Sequence, residues 1–467
     1  MNASLHGRCE AVRASLAAIG QEHVLRFAHD LPDDELQRFL QQLESLDLQR
    51  LPRLIAEVLA AGGKPAAGAD QVAPCELIEA GDHAQHVERD AAARTAGEAL
   101  LRQGRVAAFL VAGGQGTRLG YDGPKGRFPV GPITNRSLFA YHAQRVLATS
   151  RRYGRSAPLY VMTSQANHAS SVAAFDEAGH FGLDPDQVFF LVQGMLPAVD
   201  RHGRLLLAEK GSLAMSPDGH GGSLVALARS GALDDMERRG VDEIFYFQVD
   251  NPLARVLDPV FIGHHALARA EMSSKVAPRR DEREKVGVVA RIGGRVGVIE
   301  YSDLHPELAA ARDGEGRLRH RAGNIAIHML AVPFVRRLTR SGLELPVHRA
   351  DKAVPCLDEH GRPVKPDRPN AVKLETFVFD ALGFAERTVT QEVRREDEFA
   401  PVKNAEGEDS PATARAALAG QARRWMTAAG LAVPAGPAEV GPLFALDQDE
   451  FLANLTRSDY GPVFDRA

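Results

Sequence analysis

The strongest constraint on the fold is an alternation of short apolar runs with helical segments between residues 106 and 330. The apolar runs are VAAFLVA (106–112), PLYVMTS (158–164), QVFFLVQ (187–193), EIFYFQVDN (243–251), KVGVVARIGGRVGVIEY (285–301) and NIAIHML (324–330). A continuous apolar run is typical of a strand that is buried on both faces. Helical segments such as 137–149, 223–240 and 259–270 separate most of them. Strands that alternate with helices in this way predict an open α/β sheet with helices on both faces.

The two ends of the chain have a different pattern. Residues 1–60 are predicted to be helical, because leucines such as Leu36, Leu40 and Leu43 recur near helical spacing. A Gly/Pro/Ala-rich break (60–74) and a short helix (89–103) are predicted to follow. From Pro401 onward the chain is rich in Ala, Pro and Gly, with one predicted helix over 412–429.

Composition excludes several classes of protein. The 467 residues include 56 Lys+Arg and 61 Asp+Glu, a net charge of −5, with 44% hydrophobic and 25% charged residues. These values argue against a disordered chain and against a polybasic nucleic-acid-binding protein. No apolar run approaches the roughly 18 residues of a membrane helix, and the N-terminus lacks a signal-peptide core. The three cysteines have no metal-binding spacing. We therefore expect a cytoplasmic protein that binds neither nucleic acid nor membrane.

A glycine-rich loop directly follows the first apolar run. Gly113, Gly114 and Gly116 allow backbone N–H groups to approach a phosphate closely, and Arg118 and Lys125 add two cations. The segment lacks the G-x-x-x-x-G-K-[ST] pattern of a Walker loop. A dinucleotide-binding dehydrogenase is disfavoured, because the glycines run G-x-G-x-x-x-G and no acidic residue closes the next strand. The segment predicts a phosphate-binding loop, with a tight turn and incidental cations as the alternative.

Several polar residues follow the run EIFYFQVDN. Asp250 closes the run, and ligands of open α/β sheets bind at the carboxyl ends of the strands. A carboxylate there suits Mg²⁺, which binds carboxylate oxygens together with substrate phosphates. Asp258 precedes Pro259 and is predicted to cap a helix. His264 and His265 are adjacent, so on a helix they point about 100° apart and cannot share one metal ion.

The loop GGQGTRLG followed by PKG resembles the signature of the eukaryotic-type UDP-sugar pyrophosphorylases, most closely the UDP-N-acetylhexosamine pyrophosphorylases. The resemblance continues in family order from about residue 105 to 415. Its further segments are QGMLPAVD, SPDGHGGSL, QVDNPLARVLDPVFIG, VGVIEYSD, AGNIAIHML, PNAVKLETFVFD and VRREDEFAPVKNAEGEDSPATAR.

This resemblance implies an enzyme, a nucleotidyltransferase that forms a UDP-hexose and pyrophosphate from UTP and a hexose 1-phosphate with Mg²⁺. UDP-N-acetylglucosamine is the first product to expect. The implied fold is a central Rossmann-like nucleotidyltransferase α/β core with a mixed sheet (98–395). A helical N-terminal region (1–97) and a small C-terminal domain (396–467) are expected to flank this core. The oligomeric state is left open.

The resemblance also implies roles for individual residues. Catalysis would involve Arg118, Lys125 and Lys403 beside the phosphates. The nucleotide would be bound by Gly113, Gly114, Gly116, Thr117, Gln193, Gly219, His220 and Asp250. The sugar would be bound by Gly222, Glu300, Asn324 and Lys373. The charged run Arg394–Glu398 is expected to be a solvated face.

The chain departs from the family pattern at one position. The N-acetylhexosamine enzymes usually have Asn where this chain has His220, and the GHG sequence is more similar to the UDP-glucose and broad-specificity members. A UDP-glucose or broad-specificity pyrophosphorylase is therefore the alternative enzyme. A nucleotide-sugar-binding protein without catalytic activity is the alternative from another class, and the presence of Arg118, Lys125 and Asp250 argues against it.

Overall fold

The structure is a computed structural model that describes residues 3–60, 71–81, 84–340, 345–455 and 461–465. The chain forms two compact units, each assembled from separate stretches of sequence. The first unit comprises 1–64, 194–222 and 344–378, and the second comprises 65–193, 223–343 and 379–467. The predicted division into three consecutive domains (1–97, 98–395 and 396–467) stays a prediction.

The first unit combines N-terminal helices with short antiparallel strand pairs. Its helices are Ala3–Ala17, the 3-10 helix Glu22–Asp30, Asp33–Glu44 and Leu51–Ala60. Its paired strands are Met195–Pro197 with Met215–Pro217, Leu207–Glu209 with Ser212–Leu213, Val347–Lys352 with Ala371–Thr376, and Cys356–Leu357 with Pro363–Val364. Leu36, Leu40 and Leu43 are buried in one apolar cluster with Val199 and Val372. The predicted helical periodicity therefore does mark the buried face of these helices.

The second unit contains a mixed sheet, as expected. Its main path runs, in spatial order, through Val72–Pro74, Val288–Ile292, Ala322–Ala331, Glu243–Gln248, Val106–Val111, Leu159–Thr163 and Val188–Val192. The last four strands of this path are parallel to one another, whereas Ala322–Ala331 pairs antiparallel with Glu243–Gln248. Met272–Pro278 pairs with Ala322–Ala331 and with Thr388–Glu392, and Arg295–Ile299 forms a hairpin with Val288–Ile292. Gly293 and Gly294 make the turn of this hairpin, where positive φ values of 56° and 85° favour glycine.

Helices of the second unit occupy most of the connections between these strands. They are Ala84–Gln103, Leu138–Tyr153, His168–Glu177, Gly222–Arg229, Ala232–Arg239, Pro259–Leu267, Pro306–Ala310, Val332–Arg340, Arg395–Glu398, Pro411–Ala428 and Gln448–Asn454. Gly222–Arg229 begins at the last residue of the second stretch of the first unit. A short parallel pair, Glu439–Val440 with Val463–Phe464, lies near the C-terminus. In the parts of the chain that the structure describes, no helix is both long and apolar enough to span a membrane.

The predicted Gly/Pro/Ala break proves partly wrong. Residues 61–70 of the break lie outside the described residues, but Val72–Pro74 forms an edge strand against Val288–Ile292. An edge strand tolerates proline because one side of its backbone has no ladder partner.

The expectation of a solvated charged face at Arg394–Glu398 is also wrong in part. Arg394 is exposed, but Glu398 is buried and accepts a 2.6 Å hydrogen bond from the Nζ of Lys275. Lys275 is fully buried, and its Nζ also donates at 2.7 Å to Asp258. Burial raises the pKa of the Asp258 carboxyl, but the Lys275 ammonium and the Arg255 guanidinium outweigh burial and hold that pKa well below its usual range. The run therefore supplies one member of a buried ion cluster.

Candidate active site

The glycine loop starts where the buried strand Val106–Val111 ends. The loop folds back on itself, because the N–H of Gly116 donates to the Gly123 carbonyl at 2.9 Å and the N–H of Lys125 donates to the Gly114 carbonyl at 3.1 Å. A Cβ on Gly114 would lie 3.9 Å from the Cε of Lys125. The structure thus places the predicted lysine beside the predicted phosphate-binding glycines.

Gln193 lies against the start of this loop. A Cβ on Gly113 would lie only 2.6 Å from the Oε1 of Gln193, so a larger residue at 113 would displace this side chain. Gln193 is 8% exposed. Its backbone N–H donates at 2.7 Å to the Thr163 carbonyl at the end of the neighbouring strand. Gln193, a predicted nucleotide ligand, and the predicted phosphate-binding loop are therefore neighbours.

Thr117 and Arg118 lie in the 3-10 turn Thr117–Leu119 within the loop, and both are exposed. Gly120 ends this turn with a φ of 67°. The exposed guanidinium of Arg118 is available to a ligand at the loop surface, which fits the predicted role.

Lys125 and Asp250 form the charged centre of the site. The Nζ of Lys125 lies 3.9 Å from the Oδ2 of Asp250, and the two side chains are 16% and 14% exposed. Asp250 comes two residues after Glu243–Gln248, the strand beside Val106–Val111. The cation and the carboxylate therefore meet at the carboxyl ends of two neighbouring parallel strands, where α/β sheets bind ligands.

The segment that carries Lys403 is bound to the same place. The N–H of Val402 donates to the Asp250 carbonyl at 2.8 Å, and the Lys403 ammonium lies 3.7 Å from Asp409. Asn251 holds this segment through its side chain, which donates to the Glu398 carbonyl at 2.7 Å and accepts from the Ala400 N–H at 3.1 Å. The sequence places Asn251 at the end of the apolar run but gives no sign of this clamp, since the partners lie almost 150 residues later.

Glu300 and Asn324, the predicted sugar ligands, share Gly287 as a neighbour. The N–H of Asn324 donates to the Gly287 carbonyl at 2.8 Å, and a Cβ on Gly287 would lie 3.3 Å from the Oε1 of Glu300. The Oδ1 of Asn324 accepts from the Ala326 N–H at 3.0 Å. The structure therefore brings the two predicted sugar ligands together, and one oxygen of Asn324 has a structural partner.

In the first unit, Gly219, Gly221 and Gly222 form a tight turn against the strand Ala371–Thr376. A Cβ on Gly219 would overlap the carbonyl oxygen of Thr376, and Gly219 has a φ of 82°. The N–H of Gly221 donates to this same carbonyl at 2.8 Å. Lys373 lies three residues earlier on that strand and is half-buried. The close approach of the two backbones explains why the sequence needs glycine at 219.

His220 is held in this turn by its ring. Its Nδ1 accepts a 3.1 Å hydrogen bond from the Val378 N–H, and its ring stacks on Phe377, whose other stacking partner is His348. Burial and the charge of His348 lower the pKa of His220 to about 4. His220 is therefore neutral at pH 7, with its ring proton on Nε2. The hydrogen bond and the stacking fix the orientation of the ring in the turn.

Metal-binding groups are sparse in the described residues. No set of three His, Cys, Asp or Glu side chains there could hold a metal ion. Asp258 caps Pro259–Leu267 by accepting from the Val260 N–H, as predicted. His264 bonds to Asp90, and His265 bonds to Ser273 and Glu243, so neither histidine needs a metal partner. Any metal at this site would therefore need oxygen atoms from its substrates in addition to Asp250.

Comparison with known proteins assigns the chain to one family. The family described as UTP–glucose-1-phosphate uridylyltransferase matches residues 69–451. The human UDP-N-acetylhexosamine pyrophosphorylase-like protein 1 is 40% identical over 434 residues, which cover 90% of this chain and 85% of that protein. The UDP-N-acetylglucosamine pyrophosphorylase of Saccharomyces cerevisiae is 37% identical over 378 residues, which cover 79% and 78%.

A solved structure agrees with these relatives. The UDP-N-acetylglucosamine pyrophosphorylase of Trypanosoma brucei superposes with a TM-score of 0.85 at 26% identity, and the match covers 98% of each chain. The expected fold class is confirmed by this match, and the expected family is confirmed by the sequence relatives. The chain belongs to the UTP–glucose-1-phosphate uridylyltransferase family.

Proposed function

We propose that the protein transfers uridylate from UTP to N-acetylglucosamine 1-phosphate, forming UDP-N-acetylglucosamine and pyrophosphate. The observation that carries the proposal is the meeting of the glycine loop, Lys125 and Asp250 at the carboxyl ends of adjacent parallel strands. The choice of sugar is supported by the relatives at 37% and 40% identity, whose names specify N-acetylglucosamine or N-acetylhexosamine.

The reaction needs positioning and charge neutralisation more than covalent chemistry. A phosphate oxygen of the sugar 1-phosphate attacks the α-phosphorus of UTP in line, and the bond from this phosphorus to the oxygen that bridges to the β-phosphate breaks. The leaving pyrophosphate carries away the electron pair of that bond. Lys125 would neutralise charge on the α-phosphate and on the leaving group, with Arg118 and Lys403 beside the phosphates.

Asp250 is suited to bind a magnesium ion. Its carboxylate is mostly buried, and the Lys125 ammonium lies 3.9 Å away. Mg²⁺ commonly binds one or two carboxylates together with substrate phosphates, so a single carboxylate is sufficient. When bound, the ion would neutralise phosphate charge and align the phosphate groups.

The remaining predicted ligands fit the nucleotide and the sugar. Gln193 can offer both an amide donor and a carbonyl acceptor to the uracil edge, and neutral His220 can donate through Nε2. Gly113, Gly114, Gly116 and Thr117 would bind the phosphates, and Gly219 would contact the base. The sugar would be bound by Gly222, Glu300, Asn324 and Lys373.

A panel of sugar 1-phosphates tests the proposal. With UTP and Mg²⁺, we expect pyrophosphate release with N-acetylglucosamine 1-phosphate at a kcat/KM at least about tenfold above that with glucose 1-phosphate, because a protein group that loses its hydrogen-bond partner costs about 1 to 3 kcal/mol. Coupled detection of pyrophosphate, with N-acetylgalactosamine and galactose 1-phosphates alongside, measures the order. A preference for glucose 1-phosphate would favour the alternative that the GHG sequence suggests. Binding of UTP without turnover of any sugar would favour a binding protein.

Replacing Asp250 with Asn tests the metal ligand. The amide keeps the shape but loses the negative charge, so we expect the Mg²⁺ concentration for half-maximal rate to rise at least about tenfold. A magnesium titration of the initial rate measures this shift. Asp122→Asn is the control, since Asp122 is exposed in the same loop region. An unchanged titration in Asp250→Asn would contradict the assigned role.

A further inference from the structure

Asn167 lies beneath the glycine loop and is 1% exposed. It precedes the helix His168–Glu177, which follows the strand Leu159–Thr163. None of the family motifs quoted above includes this residue. Its side chain nevertheless donates two hydrogen bonds to backbone carbonyls at the start of the loop.

The Asn167 carboxamide joins the strand end to the glycine loop. Its Nδ2 donates to the Ala112 carbonyl at 2.9 Å and to the Gly114 carbonyl at 3.2 Å. Its Oδ1 accepts from the N–H of Ser164 at 2.8 Å and from the hydroxyl of Ser164 at 3.0 Å. Both donor hydrogens and both acceptor sites of the amide are therefore used.

These contacts determine which loop groups face outward. The carbonyls of Ala112 and Gly114 are held toward Asn167, on either side of Gly113. Within the residues that the structure describes, the N–H groups of Gly113 and Gly114 make no hydrogen bond to another protein group. Free N–H groups on consecutive residues, with the adjoining carbonyls turned away, form a concavity that suits an anion.

We propose that Asn167 is a positioning residue that holds the glycine loop in its phosphate-binding form. The inference rests on the proposed function, because the anion in question is the triphosphate of UTP. Asn167 does not touch the ligand in this account. It acts through the orientation of the backbone at Gly113 and Gly114.

The chemistry of the clamp requires an amide. Asn167→Asp keeps the size and the acceptors but turns a donor into an oxygen, which repels the two loop carbonyls. Asn167→Leu removes the donors to the Ala112 and Gly114 carbonyls and the acceptor for the buried Ser164 N–H and hydroxyl. Both changes remove the hydrogen bonds that hold the loop. The Asp variant repels the two carbonyls, and the Leu variant offers them no polar group.

The test measures UTP binding apart from turnover. We expect titration calorimetry with UTP and Mg²⁺ to give a Kd at least tenfold higher for Asn167→Asp and for Asn167→Leu than for the unchanged protein. In steady-state assays the KM for UTP should rise likewise, while the KM for the sugar 1-phosphate stays within twofold. That split separates loss of loop order from general loss of structure.

Asn454→Asp is the matched control. The Asn454 amide donates a 2.7 Å hydrogen bond to the Phe444 carbonyl, and both residues lie outside the glycine loop. The thermal midpoint of this control variant shows how much stability an Asn→Asp change removes outside the loop. Its affinity for UTP should stay unchanged. The inference is overturned if both Asn167 variants bind UTP within twofold of the unchanged protein, or if the two KM values rise together. Failure of the unchanged protein to bind UTP would instead refute the proposed function, and the inference with it.

Discussion

Lys125→Ala is expected to lower kcat by about 10²- to 10³-fold, the effect of removing one preorganised charge donor from the transition state. The Lys125 side chain is 16% exposed and lies beside Gly114 and Asp250, so water replaces it poorly. Because the loop is held by backbone hydrogen bonds, the fold should survive the loss of this side chain. Initial rates at saturating substrates measure kcat, and thermal melting measures the fold.

Two further variants sharpen this result. Lys125→Arg keeps the charge but replaces a compact ammonium with a planar guanidinium, so we expect only partial recovery. Lys365→Ala removes an exposed lysine from the first unit and should leave kcat unchanged. Near-normal turnover in Lys125→Ala would contradict the proposed site.

Lys275→Met is expected to lower the free energy of unfolding by about 3 to 5 kcal/mol, the cost of removing one partner from a buried ion pair. The change leaves Asp258 and Glu398 as buried carboxylates without their ammonium. Denaturant titration followed by far-UV circular dichroism measures the effect.

The expected loss of stability comes from the burial of Lys275, Asp258 and Glu398, and not from their short distances alone. Lys210 also lies 2.8 Å from a carboxylate, that of Asp30, but both side chains are more than a third exposed. Lys210→Met should therefore leave the denaturation midpoint within error. The double variant Lys275→Met with Glu398→Gln should lose less free energy of unfolding than the two single variants lose together, because the double variant has one uncompensated buried charge fewer than Lys275→Met. A cost for Lys275→Met as small as that for Lys210→Met would contradict this account.

The sequence predicts the elements whose physical cause is local. The strand at 106–111 was predicted at 106–112, because a strand buried on both faces is a continuous apolar run. The helix Pro411–Ala428 was predicted at 412–429, and its capping box at Ser410 and Thr413 agrees with that start.

Features that depend on distant partners were not predictable. Lys275 lies within the strand Met272–Pro278, and nothing local indicates that its partners are 17 and 123 residues away. The solvated face at Arg394–Glu398 was a sound local expectation that this distant lysine overturns at Glu398. Asn167 likewise gives no signal, since a single amide in a polar turn is common.

The candidate site was predicted better than the side chains that support it. Glycines followed by cations, and a carboxylate at a strand end, are sequence patterns that serve few functions. They therefore indicate a binding site even without a structure. The structure places Gly113, Gln193, Lys125 and Asp250 as such patterns require, while their roles toward substrates stay predictions. The supporting residues Asn251 and Asn167 have no such pattern, because their amides bond to backbone groups, which any residue carries.

The discontinuity of the first unit has a consequence for synthesis on the ribosome. Its N-terminal helices bury Leu36 and Leu40 in the same apolar cluster as Val372, so the cluster cannot close until the chain beyond Val372 has emerged. At about 5 to 20 residues per second, the helices wait roughly 15 to 65 s for these partners. During that interval their apolar faces are open to chaperones and to neighbouring nascent chains. Slow translation between residues 60 and 372 should therefore lower the yield of folded protein more than slow translation after 378.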